Sequence, residues 1–338
     1  MKIRKVSSIL PPAQCKPLKT TVLLLLFLVP FLLLSACGKS GDPSSLVDDT
    51  MPWQAVANST FGTDYIYSIA WNGSRFVAGG GSGKMAYSVD NGITWQAVTN
   101  STFGTSDISS IAWNGSLFVA GGQSGKMAYS TDGVTWQVVA DSTFGTSTII
   151  AITWNGSRFV AGGVSGKMAY STDGVTWTAV ANSTFGTSPI NAITWNGSRF
   201  VAVGGSGKMA YLDDNGVTWQ VVADSKFGAN FINAIAWNGS RFVAGGQSGT
   251  MAYSDDGVTW TAVANSTFGA SDIIAIAWNG SRFVAVGVDG KMAYSDDKGV
   301  TWTAVADSTF GGYPIWAIAS NGSRFVAVGD AGKMAYSN

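Results

Sequence analysis

The side chains available for catalysis in this 338-residue chain are restricted in type. All twenty acidic residues are Asp, neither Glu nor His occurs, and the two cysteines are Cys15 and Cys37. Without His, His-based triads and His-ligated metals are excluded, and without Glu every Glu-based acid–base pair is excluded. Carboxylate chemistry would therefore need a site made only of Asp, and two cysteines cannot form a disulfide framework.

Some aromatic and acidic side chains stand outside the internal repeat that dominates the chain. An aromatic platform edged by carboxylates suits the stacking of sugars or the capture of a cationic group. We predict a ligand-binding site made of Asp64, Tyr65, Tyr67, Asp289, Tyr313, Trp316 and Asp330. Asp107, Phe231 and Asp272 depart from the repeat in the same region. The alternative is that these residues bind nothing and have only diverged from the repeat near the place where its two ends meet.

The repeat has a period near 41 residues and predicts the elements that carry this site. One Trp series comprises Trp53, Trp95, Trp136, Trp177, Trp219, Trp260 and Trp302. Each unit contains four short β-rich runs, and Asn-Gly, a strong hairpin signal, follows the first run. Repeats of this length built from short strands are typical of a β-propeller.

The two ends of the repeat array predict how the ring closes. Trp53–Val56 has the pattern of a fourth strand without its three partners, and Lys333–Asn338 has the pattern of a third strand without its fourth. Joining these segments completes a seventh blade and removes two free sheet edges. We therefore predict an all-β fold, a seven-bladed β-propeller with four-stranded blades over residues 51–338. A solenoid with free ends is the alternative.

The turn before the fourth strand resembles the Asp-box of sialidase-type and related propellers. Ser88-x-Asp90-x-Gly92 and Ser295-x-Asp297-x-Gly299 carry the resemblance, and shorter forms recur in other blades. The matching carboxylates are Asp90, Asp132, Asp173, Asp214, Asp256 and Asp297. They are expected to hold turns rather than metal, because each turn offers fewer ligands than a calcium loop. The family includes enzymes, receptors and photosystem assembly factors, so the resemblance implies a fold and leaves the function open.

The N-terminus predicts export. Five basic residues precede an apolar run over 21–34, which is shorter than the roughly 20 residues of a membrane-spanning helix. The ending Leu34-Ser35-Ala36-Cys37 resembles a bacterial lipobox and implies a lipoprotein signal peptide over 1–36, lipidation at Cys37 and a flexible tether over 37–50. Gly38 in place of the inner-membrane retention Asp favours the outer membrane or cell surface. An uncleaved anchor is the alternative.

Three functions are compatible with the sequence. The leading hypothesis is a non-catalytic binding or scaffold protein, which is monomeric and uses the face opposite the Asp-boxes to hold a protein or a glycan. The others are a lectin with one site in each blade and an Asp-dependent glycoside hydrolase, whose expected Arg cluster and Glu partner are missing. After residue 37 the chain has 15 basic and 20 acidic residues, so no nucleic-acid partner is expected, and contact with a membrane is expected only through lipid. No cofactor or metal is expected.

Overall fold

The computed structural model describes residues 51–213 and 218–337, which form short strands joined by turns and 3-10 helices. The predicted signal peptide (1–36), the tether (37–50) with Cys37, and the turn residue Asp214 lie outside the described residues. Within the described ranges, no helix is long and apolar enough to cross a membrane.

The described residues form twenty-eight strands that follow one another in a regular order. The first is β1 (Trp53–Ala55). Blades one to three contain β2 (Ile66–Trp71), β3 (Phe76–Gly80), β4 (Met85–Ser88), β5 (Gln96–Ala97), β6 (Ile108–Trp113), β7 (Phe118–Gly122), β8 (Met127–Ser130), β9 (Gln137–Val138), β10 (Ile149–Trp154), β11 (Phe159–Gly163), β12 (Met168–Ser171) and β13 (Thr178–Ala179). Blades four and five contain β14 (Ile190–Trp195), β15 (Arg199–Gly204), β16 (Met209–Asp213), β17 (Gln220–Val221), β18 (Ile232–Trp237), β19 (Phe242–Gly246), β20 (Met251–Ser254) and β21 (Thr261–Ala262).

Blades six and seven complete the series and differ in where their fourth strand comes from. They contain β22 (Ile273–Trp278), β23 (Phe283–Gly287), β24 (Met292–Ser295), β25 (Thr303–Ala304), β26 (Ile315–Ser320), β27 (Phe325–Gly329) and β28 (Met334–Ser337). A 3-10 helix joins the second and third strands of each blade, at Gly81–Gly83, Gln123–Gly125, Val164–Gly166, Gly205–Gly207, Gln247–Gly249, Val288–Gly290 and Asp330–Gly332.

The strands form seven four-stranded antiparallel sheets, and the seventh sheet closes the ring. Its order is β1-β28-β27-β26, with Trp53 opposite Ser337 and Ala55 opposite Ala335. The amide of Val56 extends the pairing by donating to the carbonyl of Met334 at 2.9 Å. The prediction of a seven-bladed propeller closed by its N-terminal strand is confirmed.

The packing between neighbouring blades explains why the second strand of each blade reads as a continuous apolar run. Strand β3 is buried along its whole length, as is its equivalent in blades two, three, five, six and seven. A strand covered on both faces needs apolar residues at successive positions rather than at alternate ones. The core is therefore a series of similar clusters between blades, with fully buried Phe side chains such as Phe76 and Phe118.

Two faces of the disc carry different connections. The linker face, as we name it, holds the segments that join one blade to the next together with the seven 3-10 helices. There the 3-10 helix of one blade docks on the next linker: the Ser101 hydroxyl donates to the carbonyl of Gly83 at 2.6 Å, and a Cβ on Gly83 would lie 2.1 Å from the carbonyl oxygen of Gly104. Gly83 also has φ +65°, so both the backbone conformation and the close contact require glycine at this position.

The lysines that precede the third strands also lie at the linker face. The sequence leaves two roles open for them, a solvated edge or a ring for anions. In blade one, Lys84 Nζ donates to the carbonyl of Phe61 at 2.9 Å, and four other blades repeat this bond. These ammonium groups therefore stabilise the linkers of their own blades.

The hairpin face, on the other side, holds the Asn-Gly turns and the Asp-containing turns. In blade three, the Asp173 carboxylate accepts from the amides of Thr176 at 2.7 Å and Val175 at 2.8 Å and from the Ser171 hydroxyl at 2.9 Å. Led by the bond from Thr176, these donors lower the pKa of Asp173 to about 2. The carboxylate thus replaces backbone hydrogen bonds that the tight turn leaves unmade.

Candidate functional site

A β-bulge in every inner strand produces the residues that face the axis of the ring. In blade one, Ile66 pairs with Gly80 and Ser68 pairs with Gly79, so Tyr67 has no partner in the register. A bulge leaves one residue unpaired and redirects its side chain. The same shift occurs in all seven blades and selects Tyr67, Ser109, Ile150, Asn191, Asn233, Ile274 and Trp316.

These seven side chains, one from each blade, line a single cavity of about 480 Å³. We call it the axial cavity. Its other lining residues are Asp107, Gln123, Thr148, Pro189 and Phe231. These five residues belong to linkers and to a 3-10 helix, so the cavity is bordered by the linker face. Its volume is within the range of roughly 300–1,000 Å³ that is usual for small-ligand sites.

One wall of the axial cavity is aromatic. The rings of Tyr67 and Trp316 meet edge-on with centroids 6.0 Å apart, and the ring of Tyr65 lies 5.8 Å from that of Tyr67. The indole N–H of Trp316 donates to a carboxylate oxygen of Asp330, which fixes the orientation of the indole. This wall is formed by the first and last blades, which become neighbours when the ring closes.

The opposite wall, formed by blades four and five, presents amides. Asn191 Nδ2 donates to the carbonyl of Ile232 at 3.1 Å, and Asn233 Nδ2 donates to the carbonyl of Ile273 at 3.0 Å. Each side chain therefore bridges to the inner strand of the next blade. Among the described residues, no donor reaches Asn191 Oδ1, which leaves this oxygen as an acceptor at the cavity.

Acidic side chains lie near the Tyr67 hydroxyl of the aromatic wall. Burial raises the pKa of Tyr67 to about 12, and the carboxylates of Asp107, Asp330 and Asp64 add to the effect, as does Tyr65. Both causes disfavour a phenolate, because one removes solvation and the other adds like charge. The Tyr67 hydroxyl therefore stays protonated at neutral pH and can donate a hydrogen bond to a ligand.

The structure distributes the predicted site residues over different positions. Tyr67 and Trp316 line the axial cavity, and Asp330 and Tyr65 each contact one of them. Asp64 forms an ion pair with Lys84 at 2.7 Å. Tyr313 is exposed beneath the ammonium of Lys333, 4.8 Å from its ring centroid, and Asp289 accepts from the Ser271 hydroxyl at 2.8 Å.

Five of the seven bulge residues were missed by the sequence analysis. They are Ser109, Ile150, Asn191, Asn233 and Ile274. The available signal was the second position of each inner strand, where residues of seven blades can be compared directly. That position differs between blades in side-chain chemistry, whereas the Ile before it is invariant among the seven.

The part of the chain that the structure describes contains no group of three or more His, Cys, Asp or Glu placed to hold a metal ion. Asp107 and Asp330 instead accept hydrogen bonds from neutral groups, the amide of Gln123 and the indole of Trp316. The site thus offers aromatic faces, amide oxygens and carboxylates to a ligand.

Fold and site together define a seven-bladed β-propeller with one ligand-sized cavity on its axis. A family model described as the DUF6242 beta propeller domain matches residues 185–320. The solved structure of YCF48 from Cyanidioschyzon merolae is similar, with a TM-score of 0.66 and 18% identity over 85% of this chain and 98% of that chain. A structure of YCF48 bound to D1 peptide has a TM-score of 0.67 and 17% identity over 85% of this chain and 96% of that chain. At these identities the likeness shows the fold. No curated protein sequence matches the chain significantly.

Proposed function

We propose that this propeller is a non-catalytic binding module that holds a segment of a partner protein at the linker face, over the axial cavity. The observation that carries the proposal is the lining of the cavity: a strongly repeated scaffold places chemically different side chains at the bulge positions, from Trp316 to Ser109 and Asn191. A ring of seven identical residues would recognise a symmetric ligand. Seven positions of mixed chemistry instead suit one asymmetric ligand.

The likeness to YCF48 adds support for a protein partner. One of the similar structures is of YCF48 bound to D1 peptide, so a propeller of this shape can hold a peptide. A shared fold alone does not determine function, and the support for this chain comes from its own cavity. The axial cavity takes residues of different types from the seven blades, so it does not provide a lectin with one equal site in each blade.

A glycan is the second candidate ligand, because aromatic rings at the linker face offer surfaces on which sugars stack. Tyr65 and Tyr313 are 48% and 47% exposed, which leaves both rings accessible at the linker face. The same surfaces would also hold apolar side chains of a peptide. Peptides and glycans therefore have to be compared on the same protein.

The test is a parallel screen of the full chain against phage-displayed linear peptides and a glycan array. Ser109→Trp should abolish binding because the larger side chain projects into the axial cavity and obstructs it. Ser116→Trp, the same substitution at an exposed position of the hairpin face, should leave binding unchanged. Enrichment of peptides that Ser109→Trp abolishes supports the proposal. Enrichment of glycans alone makes the protein a lectin, and binding that only Ser116→Trp abolishes places the site on the wrong face.

We further propose that the chain is not a glycoside hydrolase. The two catalytic carboxyl groups of such enzymes flank one bond, about 5–5.5 Å apart for retention or 6.5–9.5 Å for inversion. Here each of the three candidate carboxylates is already engaged by another side chain, Asp64 by Lys84, Asp289 by Ser271 and Asp330 by Trp316. Hydrolysis of aryl glycosides that Asp330→Asn abolishes would contradict this part of the proposal.

Export and lipid anchoring are also proposals, supported by the sequence of residues 1–38. We propose that Cys37 becomes the lipidated N-terminus and that the propeller is held at an outer membrane or cell surface. Expression in a bacterium with radiolabelled palmitate tests this directly. Label should be incorporated into the wild-type chain and into Cys15→Ser, and it should be lost from Cys37→Ser.

A further inference from the structure

Two carboxylates that have no ion pair in the described part of the chain lie at the aromatic wall of the axial cavity: Asp107 lines the cavity, and Asp330 contacts the lining residue Trp316. Asp107 accepts from the backbone amide of Ser82 at 3.1 Å and from Gln123 Nε2 at 2.9 Å, both neutral donors. Asp330 accepts from the indole of Trp316. Neither carboxylate has an ion pair among the described residues. An arriving cation would therefore meet two carboxylates whose charge the surrounding protein leaves unneutralised.

The protein's own cations near these carboxylates are already in use. Lys84 is paired with Asp64, and Lys333 lies over the ring of Tyr313. Arginines such as Arg75 and Arg199 lie at the hairpin face, where they contact Asp-containing turns of the following blade and stack on tyrosines. A positive group at the cavity would thus have to come from a ligand.

We infer that the axial cavity takes the guanidinium group of an arginine side chain, which the bound segment of the partner supplies; this inference rests on the proposed function. A guanidinium stacks on aromatic faces and carries five N–H donors in a plane. The wall of Tyr67 and Trp316 offers the faces. Asp107 and the unoccupied acceptor Asn191 Oδ1 offer acceptors in different directions.

The remaining lining suits the rest of an arginine side chain. Ile150 and Ile274 belong to blades three and six, on the two flanks between the aromatic and amide walls. Apolar flanks of this kind pack against methylene groups while the charged head reaches its polar partners. An ammonium group would use fewer of these features, because it has three donors around a point charge and no plane to stack.

The test compares three peptides on the full chain by calorimetry at low salt: acetyl-Gly-Gly-Arg-Gly-Gly-amide and its citrulline and lysine counterparts. Citrulline has nearly the shape of arginine without its charge. We expect the arginine peptide to bind about tenfold more tightly than the citrulline peptide, and this ratio to shrink as salt is added. Equal binding of the arginine and citrulline peptides overturns the inference, and tighter binding of the lysine peptide overturns its choice of guanidinium.

Carboxylate variants locate the effect. Asp107→Asn and Asp330→Asn keep the shape of the site and should each weaken arginine-peptide binding about three- to tenfold. The matched control is Asp272→Asn, because Asp272 accepts from the amide of Ser248 at 2.8 Å as Asp107 does from Ser82. Unlike Asp107, it does not line the cavity, and unlike Asp330, it has no hydrogen bond to a lining residue among the described residues. An equal loss in all three variants overturns the assignment. If peptides from the screen bind in the cavity but none depends on arginine, this inference fails while the proposed function stands.

Discussion

The ring of Tyr67 meets the ring of Trp316 edge-on, with centroids 6.0 Å apart, although the two residues belong to the first and last blades. Strand β1 makes this contact possible by completing the last blade and closing the circle. The seam of the propeller and the aromatic wall of the axial cavity are consequently built by the same two blades.

Replacing Trp316 should separate binding from stability. Trp316→Leu removes half of the aromatic wall, so peptide binding should fall more than about tenfold, whereas the free energy of unfolding should fall by only about 1–2 kcal/mol because the indole is half-buried. The control is Trp71→Leu, which removes a ring packed on Phe76 at 4.5 Å and away from the cavity. Calorimetry and urea unfolding should show that the control loses stability and keeps its affinity.

The ionisation of Tyr67 should appear in a difference titration. The phenol keeps its proton to about pH 12 in the folded chain, compared with a pKa of 10.0 for an unperturbed tyrosine. The contribution of the Tyr67 phenol to the free energy of unfolding is therefore fully present below pH 10. It is lost as the pH rises from 10 towards 12. The ultraviolet titration of wild type minus Tyr67→Phe should show one phenol with a midpoint near pH 12, and Asp330→Asn should lower that midpoint. A midpoint near pH 10 would show that the ring is solvated.

The turns of the hairpin face should titrate in the acid range. The pKa of Asp173 is about 2 in the folded chain and 3.8 in its ordinary state, so its contribution to stability is present above about pH 4 and is lost as the pH falls towards 2. Asp173→Ala should cost about 1 kcal/mol at pH 7, a modest value because the side chain is exposed.

A conservative substitution at a different acidic position provides the control for that measurement. Asp141 accepts from the amide of Thr143 at 2.7 Å, a bond that Asn182 makes to the amide of Thr184 in the next linker. Asp141→Asn should therefore leave the free energy of unfolding at pH 7 unchanged. If both variants lose the same stability at pH 7, the Asp173 turn has no special role.

The seam should be the point at which the ring opens first. Trp53 and Trp95 occupy equivalent positions and are 7% and 6% exposed, so replacing either by Ala should cost about 3–5 kcal/mol. Strands β1 and β5 each pair with one neighbouring strand, but β5 follows β4 directly along the chain, whereas β1 and β28 come from opposite ends of the propeller. Limited proteolysis should therefore remove the N-terminal segment from Trp53→Ala earlier than it cuts blade one of Trp95→Ala. The same cleavage order in both variants would show that the seam is no weaker than the other blades.

The architecture follows from local features of the sequence that recur seven times. Trp spacing, Asn-Gly turns and the unmatched strands at Trp53–Val56 and Lys333–Asn338 are sufficient to derive blade number and closure, because each blade is a hairpin series with short-range pairing. The exact ends of the strands were less accessible: the predicted fourth strand Trp53–Val56 is the three-residue strand Trp53–Ala55. The outer edge of a blade has only one partner, which shortens its pairing.

The site was only partly accessible from sequence. Tyr67 and Trp316 stand out because they interrupt the repeat, but Asn191 and Ile150 look like ordinary strand residues. Their position at the axis depends on the bulge after the first residue of each inner strand, and simple alternation along a strand gives no sign of such a shift. The partner of Asp289 is the hydroxyl of Ser271, 18 residues earlier in the chain. This contact is likewise set by the packing of the linker on the 3-10 helix.

Hydrogen–deuterium exchange of the full chain, with and without a peptide recovered from the screen, tests the central claim most directly. If the partner segment binds over the axial cavity, protection will appear in the linkers and inner strands of residues 61–69 and 312–318, and it will disappear in Ser109→Trp. Protection confined to the Asp-containing turns at 130–136 and 171–177, on the hairpin face, would contradict the account.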